Sequence, residues 1–138
     1  MRVLQAMAGA EFGGAEAFFV RLVVALHKAG LDQRVLIRRN EKRAQVLRSA
    51  GIEPVELNFG GRFDMTTGMM IRRQMRDFQP HAVLTWMNRA TSKMPKRRPR
   101  DLSYVLAARL GGYYNLKYYR HCDHLVGNTP DICDYNAI

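Results

Sequence analysis

Apolar runs of four to six residues alternate with longer amphipathic stretches along the whole chain. Arg2–Met7 is the first such run and predicts a buried strand. A stretch from Ala17 to Leu26 follows, with Phe19, Leu22, Val23 and Leu26 at i, i+3, i+4 and i+7. Phe18, Val20 and Val24 widen that face, so most of the helix is expected to be covered. Gly30 marks its end, with Lys28 well placed for the helix dipole. Gln33–Ile37 predicts a second strand. Glu41–Ala50 predicts a short helix with Ala44, Val46 and Leu47 inward, closed by Gly51. Ile52–Leu57 predicts a third strand, and Pro54 suits a strand start or an edge. Met65–Phe78 predicts a helix with Ile71, Met75 and Phe78 on one side and Arg72, Arg73 and Arg76 on the other. Pro80 stops it. Ala82–Trp86 reads as a fourth strand, Leu102–Ala108 as a fifth and His124–Gly127 as a sixth. A short helix is expected around Asn115–His121, and Thr129-Pro130-Asp131 opens a last one. Between Arg89 and Arg100 stand six basic residues and no acid, with Pro95 and Pro99 arguing for a loop.

Strands alternating with helices imply an α/β domain, a parallel sheet with helices on both faces. Right-handed crossovers place every strand-to-helix loop on one edge, where open α/β folds bind ligands. Three glycine-containing loops (9–14, 60–61 and 111–112) follow strands and are expected there.

The 138 residues suffice for one domain with a real core. No apolar run approaches the ~18 residues of a membrane span, and no basic segment followed by an apolar one marks a signal peptide. Two cysteines, Cys122 and Cys133, make no disulfide framework, so a reducing, cytoplasmic setting is the expectation. The unusual quantity is charge: 22 Lys and Arg against 12 Asp and Glu, net +10. That favours acidic partners: nucleic acid, anionic lipid, phosphorylated substrates or a nucleotide. It is also compatible with a simple basic surface.

The first glycine loop is neither of the common phosphate loops. Gly9 and Gly14 have the Walker spacing, but Ala15-Glu16 replaces its Lys and Ser/Thr, and the loop is not G-x-G-x-x-G. Glu16 favours the helix dipole but would repel a phosphate placed directly on it. His121, Cys122, His124 and Cys133 fit no standard zinc spacing, so no metal is expected. No Ser-His-Asp or Cys-His pair can be drawn from local spacing. The basic stretch 89–100 lacks interleaved aromatics and the chain carries no nucleic-acid motif. Tyr113, Tyr114, Tyr118 and Tyr119 cluster after the third glycine loop, either to stack on a sugar or to pack a helix.

Three segments carry a family likeness. Arg2-Val-Leu-Gln, then Gly13-Gly14-Ala15-Glu16 and an apolar helix ending in His27-Lys28-Ala29-Gly30, resembles the N-terminal domain of family 4 glycosyltransferases of the GT-B fold. Pro80-His-Ala-Val-Leu-Thr-Trp-Met-Asn88-Arg89-Ala90 looks like that family's P-D-V-V-H-A-H-N-x-x-A segment. Tyr113-Tyr-Asn-Leu-Lys-Tyr-Tyr119 followed by Cys122-Asp-His-Leu-Val-Gly-Asn-Thr-Pro130 looks like its Y-x-D-L-K…A-D-H-x-V-A-N-T-P segment. The order and spacing of the three are more specific than any one.

The resemblance implies a Rossmann-like, acceptor-side domain spanning 1–138. Sugar would pass from a nucleotide-sugar co-substrate to an envelope glycan or lipid-linked acceptor, with retention and no bound metal or other cofactor. It also implies a separate C-terminal donor-binding domain, absent from these residues, so the chain alone is expected to be inactive. Gly13, Gly14, Glu16, Asn88, Arg89, Arg109, Gly111, Gly112 and Tyr113 become the candidate substrate and donor contacts. Arg72, Arg73, Arg76, Lys96, Arg97 and Arg98 become candidates for an acidic acceptor or the inner membrane face. Many family members carry a His-Gly dipeptide after the fifth strand. Gly111 stands at that place here, which leaves the catalytic residue unassigned. Two rival classes are a stand-alone basic α/β binding module and a nucleotide-dependent epimerase or dehydrogenase. The missing G-x-G-x-x-G argues against the latter.

Overall fold

The computed structural model describes residues 1–10, 13–61, 63–110, 116–127, 130 and 133, with the side chain of Tyr118 excepted. In chain order the elements are β1 (Arg2–Met7), α1 (Gly14–Lys28), β2 (Asp32–Arg38), α2 (Glu41–Ser49), β3 (Val55–Leu57), α3 (Thr66–Phe78), β4 (Ala82–Trp86), α4 (Met87–Ser92) and β5 (Val105–Leu110). A 3-10 turn (Leu116–Tyr119) and β6 (His124–Gly127) complete them. The six strands form one sheet in the order β3-β2-β1-β4-β5-β6, and every pair is parallel. This is the expected α/β, Rossmann-like architecture. The order reverses between β1 and β4, which lie side by side, so the crevice at the carboxyl edge opens between their loops.

Alternation along the strands divides the core. Leu4, Ala6, Leu36 and Val83 face α3 and α4, meeting Ile71, Met75, Phe78 and Ala90. Met7, Val35, Ile37 and Trp86 face α1 and α2, meeting Phe19, Val23, Ala44 and Leu47. Gln5 is fully buried on the second face. Its Oε1 accepts the Trp86 indole N–H at 3.1 Å, and its Nε2 donates to Gln33 Oε1 at 2.6 Å. Gln33 in turn donates to the Val23 carbonyl at 2.9 Å. This chain of bonds satisfies the polar groups that the sheet and α1 would otherwise bury unpaired.

Several local expectations shift. α1 is longer than the apolar stretch, yet only Glu16, Phe19 and Val23 are buried on it, because a single layer of sheet covers one stripe and Phe18 stays exposed. On α2, Arg43 rather than Val46 turns inward. Asn40 caps the helix by accepting from the Arg43 N–H at 2.9 Å, which sets its phase. Residues 43 and 47 then share the inner face at i, i+4, and Val46 falls outside it. β3 starts at Val55, after Pro54, and is an edge strand, as proline permits. β5 runs from Val105 to Leu110, later than expected, because its partner β4 begins at Ala82, which pairs with Val105. Leu102 and Tyr104 are buried without strand pairing. The stretch expected as a loop from Arg89 opens inside a helical turn, α4, and becomes irregular only before Pro95. The expected short helix is a 3-10 turn at Leu116–Tyr119. The helix expected from Thr129 onward falls mostly outside the described residues.

Candidate functional site

The loop after β1 is held by its own acid. Glu16, in the first turn of α1, folds back and accepts the Ala10 N–H at 3.0 Å through Oε1. Arg43, from α2, donates to the Ala10 carbonyl at 2.7 Å. Both polar groups of one peptide-bearing residue are thus clamped from two helices. The glycines make room for this. A Cβ on Gly9 would lie 2.6 Å from Glu16 Cγ, and one on Gly13 would lie 2.1 Å from Glu16 Oε2. The space above these two glycines is therefore filled by the Glu16 carboxylate. Only Gly14 is open, with nothing within 4 Å of a Cβ. Burial pushes the Arg43 guanidinium below its ordinary value and the Glu16 charge opposes that shift.

The loop after β3 repeats the device. Asp64 accepts from the Gly60 N–H at 2.7 Å and from the Thr67 N–H and hydroxyl. Those bonds, led by the Thr67 hydroxyl, pull its carboxyl down to about 2. It is an acceptor fixed in its charged form and a poor base near neutrality. From the other side Lys93 donates to the Gly61 and Asp64 carbonyls at 2.9 and 2.7 Å, and Arg89 donates to the Phe59 carbonyl at 3.2 Å. The loop after β3 and helix α4 after β4 are thereby joined into one wall.

Between them lies a cavity of about 660 Å³ lined by Gly60, Gly61, Asn88, Arg89, Ser92, Lys93 and Lys117. It sits at the carboxyl edge, beside the reversal of strand order. Asn88 is oriented from behind: its Oδ1 accepts the hydroxyl of buried Tyr119, leaving its amide N–H groups for the cavity. Among the described residues the site offers donors for hydroxyl or anionic oxygens and no carboxylate in its lining.

The structure brings Asn88 and Arg89 together here, while the candidates Gly13, Gly14, Glu16 and Arg109 do not line this cavity. Arg109 lies on β5 with its guanidinium 4.7 Å from the centroid of Trp86 and 5.0 Å from that of Phe18, a cation–π stack that holds it against α1. Gly111, Gly112 and Tyr113 lie outside the described residues. Arg72 and Arg73 are exposed on α3, while Arg76 pairs with Asp101 at 3.1 Å. Arg98 is tied inward: it pairs with Asp123 at 2.8 Å, donates to the Tyr104 carbonyl at 2.8 Å and stacks on the Tyr104 ring. Arg97 is exposed, and Lys96 lines a second cavity of about 580 Å³ with Ser92, Lys117, Arg120 and His121.

Lys117 and Arg120 escaped the sequence reading as site residues, since only the fold brings the 3-10 turn against α4. Arg38, Arg39 and Lys42 likewise meet Gly9 and Ala10 around a third cavity of about 420 Å³. Burial raises the Cys122 thiol to about 11, so it is no thiolate nucleophile. Among the described residues no cluster of three metal-ligating side chains occurs, and no helix is long and apolar enough to cross a membrane.

Comparison with known proteins fits this geometry. No family model matches the chain. Its sequence relatives are lipopolysaccharide core glycosyltransferases. It is 35% identical over 136 residues to the lipopolysaccharide core biosynthesis glycosyltransferase LpsD of Rhizobium meliloti, covering 96% of this chain and 38% of that protein. It is 30% identical over 129 residues to LpsE of the same organism, covering 88% of this chain and 35% of that one. The chain thus spans little more than a third of these relatives. Its structural neighbours include Acinetobacter baumannii MurG (TM-score 0.66, 16% identity, 95% of this chain and 42% of that one). Another is the UDP-GlcNAc 2-epimerase of Neisseria meningitidis, solved with UDP-GlcNAc bound (TM-score 0.67, 17% identity, 99% and 42%). Both have the GT-B, Rossmann-like fold, and the likeness establishes the fold class of this chain.

Proposed function

We propose that this chain is the acceptor-side domain of a retaining glycosyltransferase that builds lipopolysaccharide core or a related envelope glycan. The observation that carries the reading is the near whole-chain similarity to LpsD, joined to a donor-rich cavity at the switch point. In this reading the Asn88 amide, Ser92 and Arg89 hold acceptor hydroxyls at the mouth of the crevice. A second, donor-binding domain presents a nucleotide-sugar across the loop that Glu16 and Arg43 hold in place. In the same reading Gly14 and Arg109 face the donor. The chain alone, without that domain, binds acceptor but does not transfer, and it needs no metal.

A peripheral membrane contact, at the cytoplasmic face, belongs to the same proposal. Phe63, Met65 and Met69 are 90%, 78% and 67% exposed around the start of α3, next to exposed Arg72 and Arg73. Apolar side chains ringed by arginine suit an anionic bilayer surface.

The test is acceptor binding by NMR, followed by transfer assays on the chain joined to the donor-side domain of LpsD. Core oligosaccharide should shift the Asn88 and Ser92 amides. Asn88→Ala should weaken binding about tenfold, the loss of one or two hydrogen bonds. Unchanged spectra at saturating oligosaccharide would refute the assignment.

A further inference from the structure

The cavity holding Asn88 and the second cavity share Ser92 and Lys117 and so form one trough. Among the described residues its lining carries Arg89, Lys93, Lys96, Lys117, Arg120 and His121, and no acid. Lys93 and Arg89 are anchored by backbone carbonyls at one end. At the other end, His121 Nε2–H donates to the Thr91 carbonyl at 3.2 Å, which fixes the ring on the trough wall. Lys96 and Arg120 are exposed there, and the nearby cation Arg98 is turned away onto Asp123. So many like charges converging on one concavity raise its potential and select for an anion.

We infer that this trough is an extended subsite for an oligosaccharide carrying phosphate or carboxylate groups, with Lys96 and Arg120 reading an anionic group one or more sugar units away from the transfer point. The inference rests on the glycan reading of the Asn88 cavity and names its substrate class. Shape favours a glycan over a bilayer: the cations line a cavity, whereas a lipid surface would meet the convex face of α3. Among the described residues the one aromatic ring in either lining is His121, whose edge is tied to the Thr91 carbonyl, and no Phe, Tyr or Trp there supplies the stacking platform that single-stranded nucleic acid uses.

The test compares Lys96→Gln/Arg120→Gln with the unaltered chain, titrated calorimetrically at low and high salt. The probes are a phosphorylated, carboxylate-bearing core oligosaccharide and the same oligosaccharide after dephosphorylation and carboxyl reduction. The unaltered chain should prefer the charged probe by about tenfold or more at low salt, and the preference should shrink as salt rises. The double variant should lose that preference while binding the neutral probe as before. Its spectrum should be native, since both side chains are exposed. Equal affinity of the unaltered chain for both probes overturns this inference and leaves the glycan reading standing. So does a double variant that keeps the preference, or one that loses only sedimentation with anionic vesicles. Failure of both probes to bind overturns the glycan reading and this inference together.

Discussion

Gly9 and Glu16 provide a direct test of why the first glycine loop is built as it is. In the fold a Cβ on Gly9 would stand 2.6 Å from Glu16 Cγ, 2.7 Å from its Oε1 and 2.9 Å from Met7 Cε. Gly9→Ala must therefore displace the Glu16 side chain and break its 3.0 Å bond to Ala10. Overpacking of this kind costs roughly 1–3 kcal/mol, and loss of a charge-assisted bond adds about 1.5 kcal/mol or more. Partial relief as Glu16 rotates away brings the expected total to about 3 kcal/mol. Glu16→Ala alone should cost about 2 kcal/mol, because it removes the same bond and leaves buried Arg43 without the neighbouring negative charge. In the Glu16→Ala background Gly9→Ala meets only the flexible end of Met7. The lost contact is offset by the ~0.4–1 kcal/mol that alanine gains over glycine in the unfolded chain. It should then be nearly neutral, a coupling of roughly 2–3 kcal/mol. Urea unfolding of the four proteins measures this, provided the m-value is constant. Additivity within about 0.5 kcal/mol would refute the idea that Gly9 is glycine to admit Glu16.

Other expectations follow from the same contacts. Gln5→Leu should cost about 2 kcal/mol in urea unfolding, because it strands the Trp86 indole N–H in the core and takes the donor from the half-buried Gln33 Oε1; Gln5→Glu should cost more. Asp64, held down to about 2 in the fold against 3.8, contributes stability above pH 3.8 that disappears as pH falls toward 2. Asp64→Asn should flatten that part of an acid-unfolding curve. His121 is pushed below 6.5, chiefly by burial and then by Lys96 and Arg98, so the unfolded chain takes its proton first. Stability should fall as pH drops below 6.5, and His121→Gln should remove that step. Phe63→Ser/Met69→Ser should lower co-sedimentation with anionic vesicles several-fold, and Arg72→Gln/Arg73→Gln should abolish its salt dependence. Vesicle binding untouched by both pairs would place the membrane contact elsewhere.

Much of the fold was legible because the chain is locally consistent. The short apolar runs read as β1, β2, β4 and β6 lie within one residue of the observed strands. β5 was the exception among the longer strands, since Leu102 and Tyr104 are apolar enough to read as strand but have no partner strand at their level. On the site, Asn88 and Arg89 could be picked out in the sequence through the motif after β4. Lys117 and Arg120 could not, since nothing in residues 116–121 signals that this turn packs on α4. Glu16 read as an acid at a helix start and, through the resemblance, as a substrate or donor contact. That it fills the glycine loop depends on a side chain turning back toward Gly9 and Ala10, seven and six residues earlier.

By itself the sequence determined the α/β class, the parallel sheet, the placement of every strand-to-helix loop on one edge and the excess of positive charge. These follow from local periodicity and from the handedness of crossovers, which do not depend on which side chains finally meet. Only the tertiary structure decided what those loops contain. Two of the three glycine loops are occupied by the protein's own carboxylates, Glu16 and Asp64. The open space lies beside those carboxylates, most of it where Gly60 and Gly61 face α4 and Lys117 of the 3-10 turn. Occupancy of a site is a matter of non-local packing and charge, and neither is written in the spacing of residues along one element.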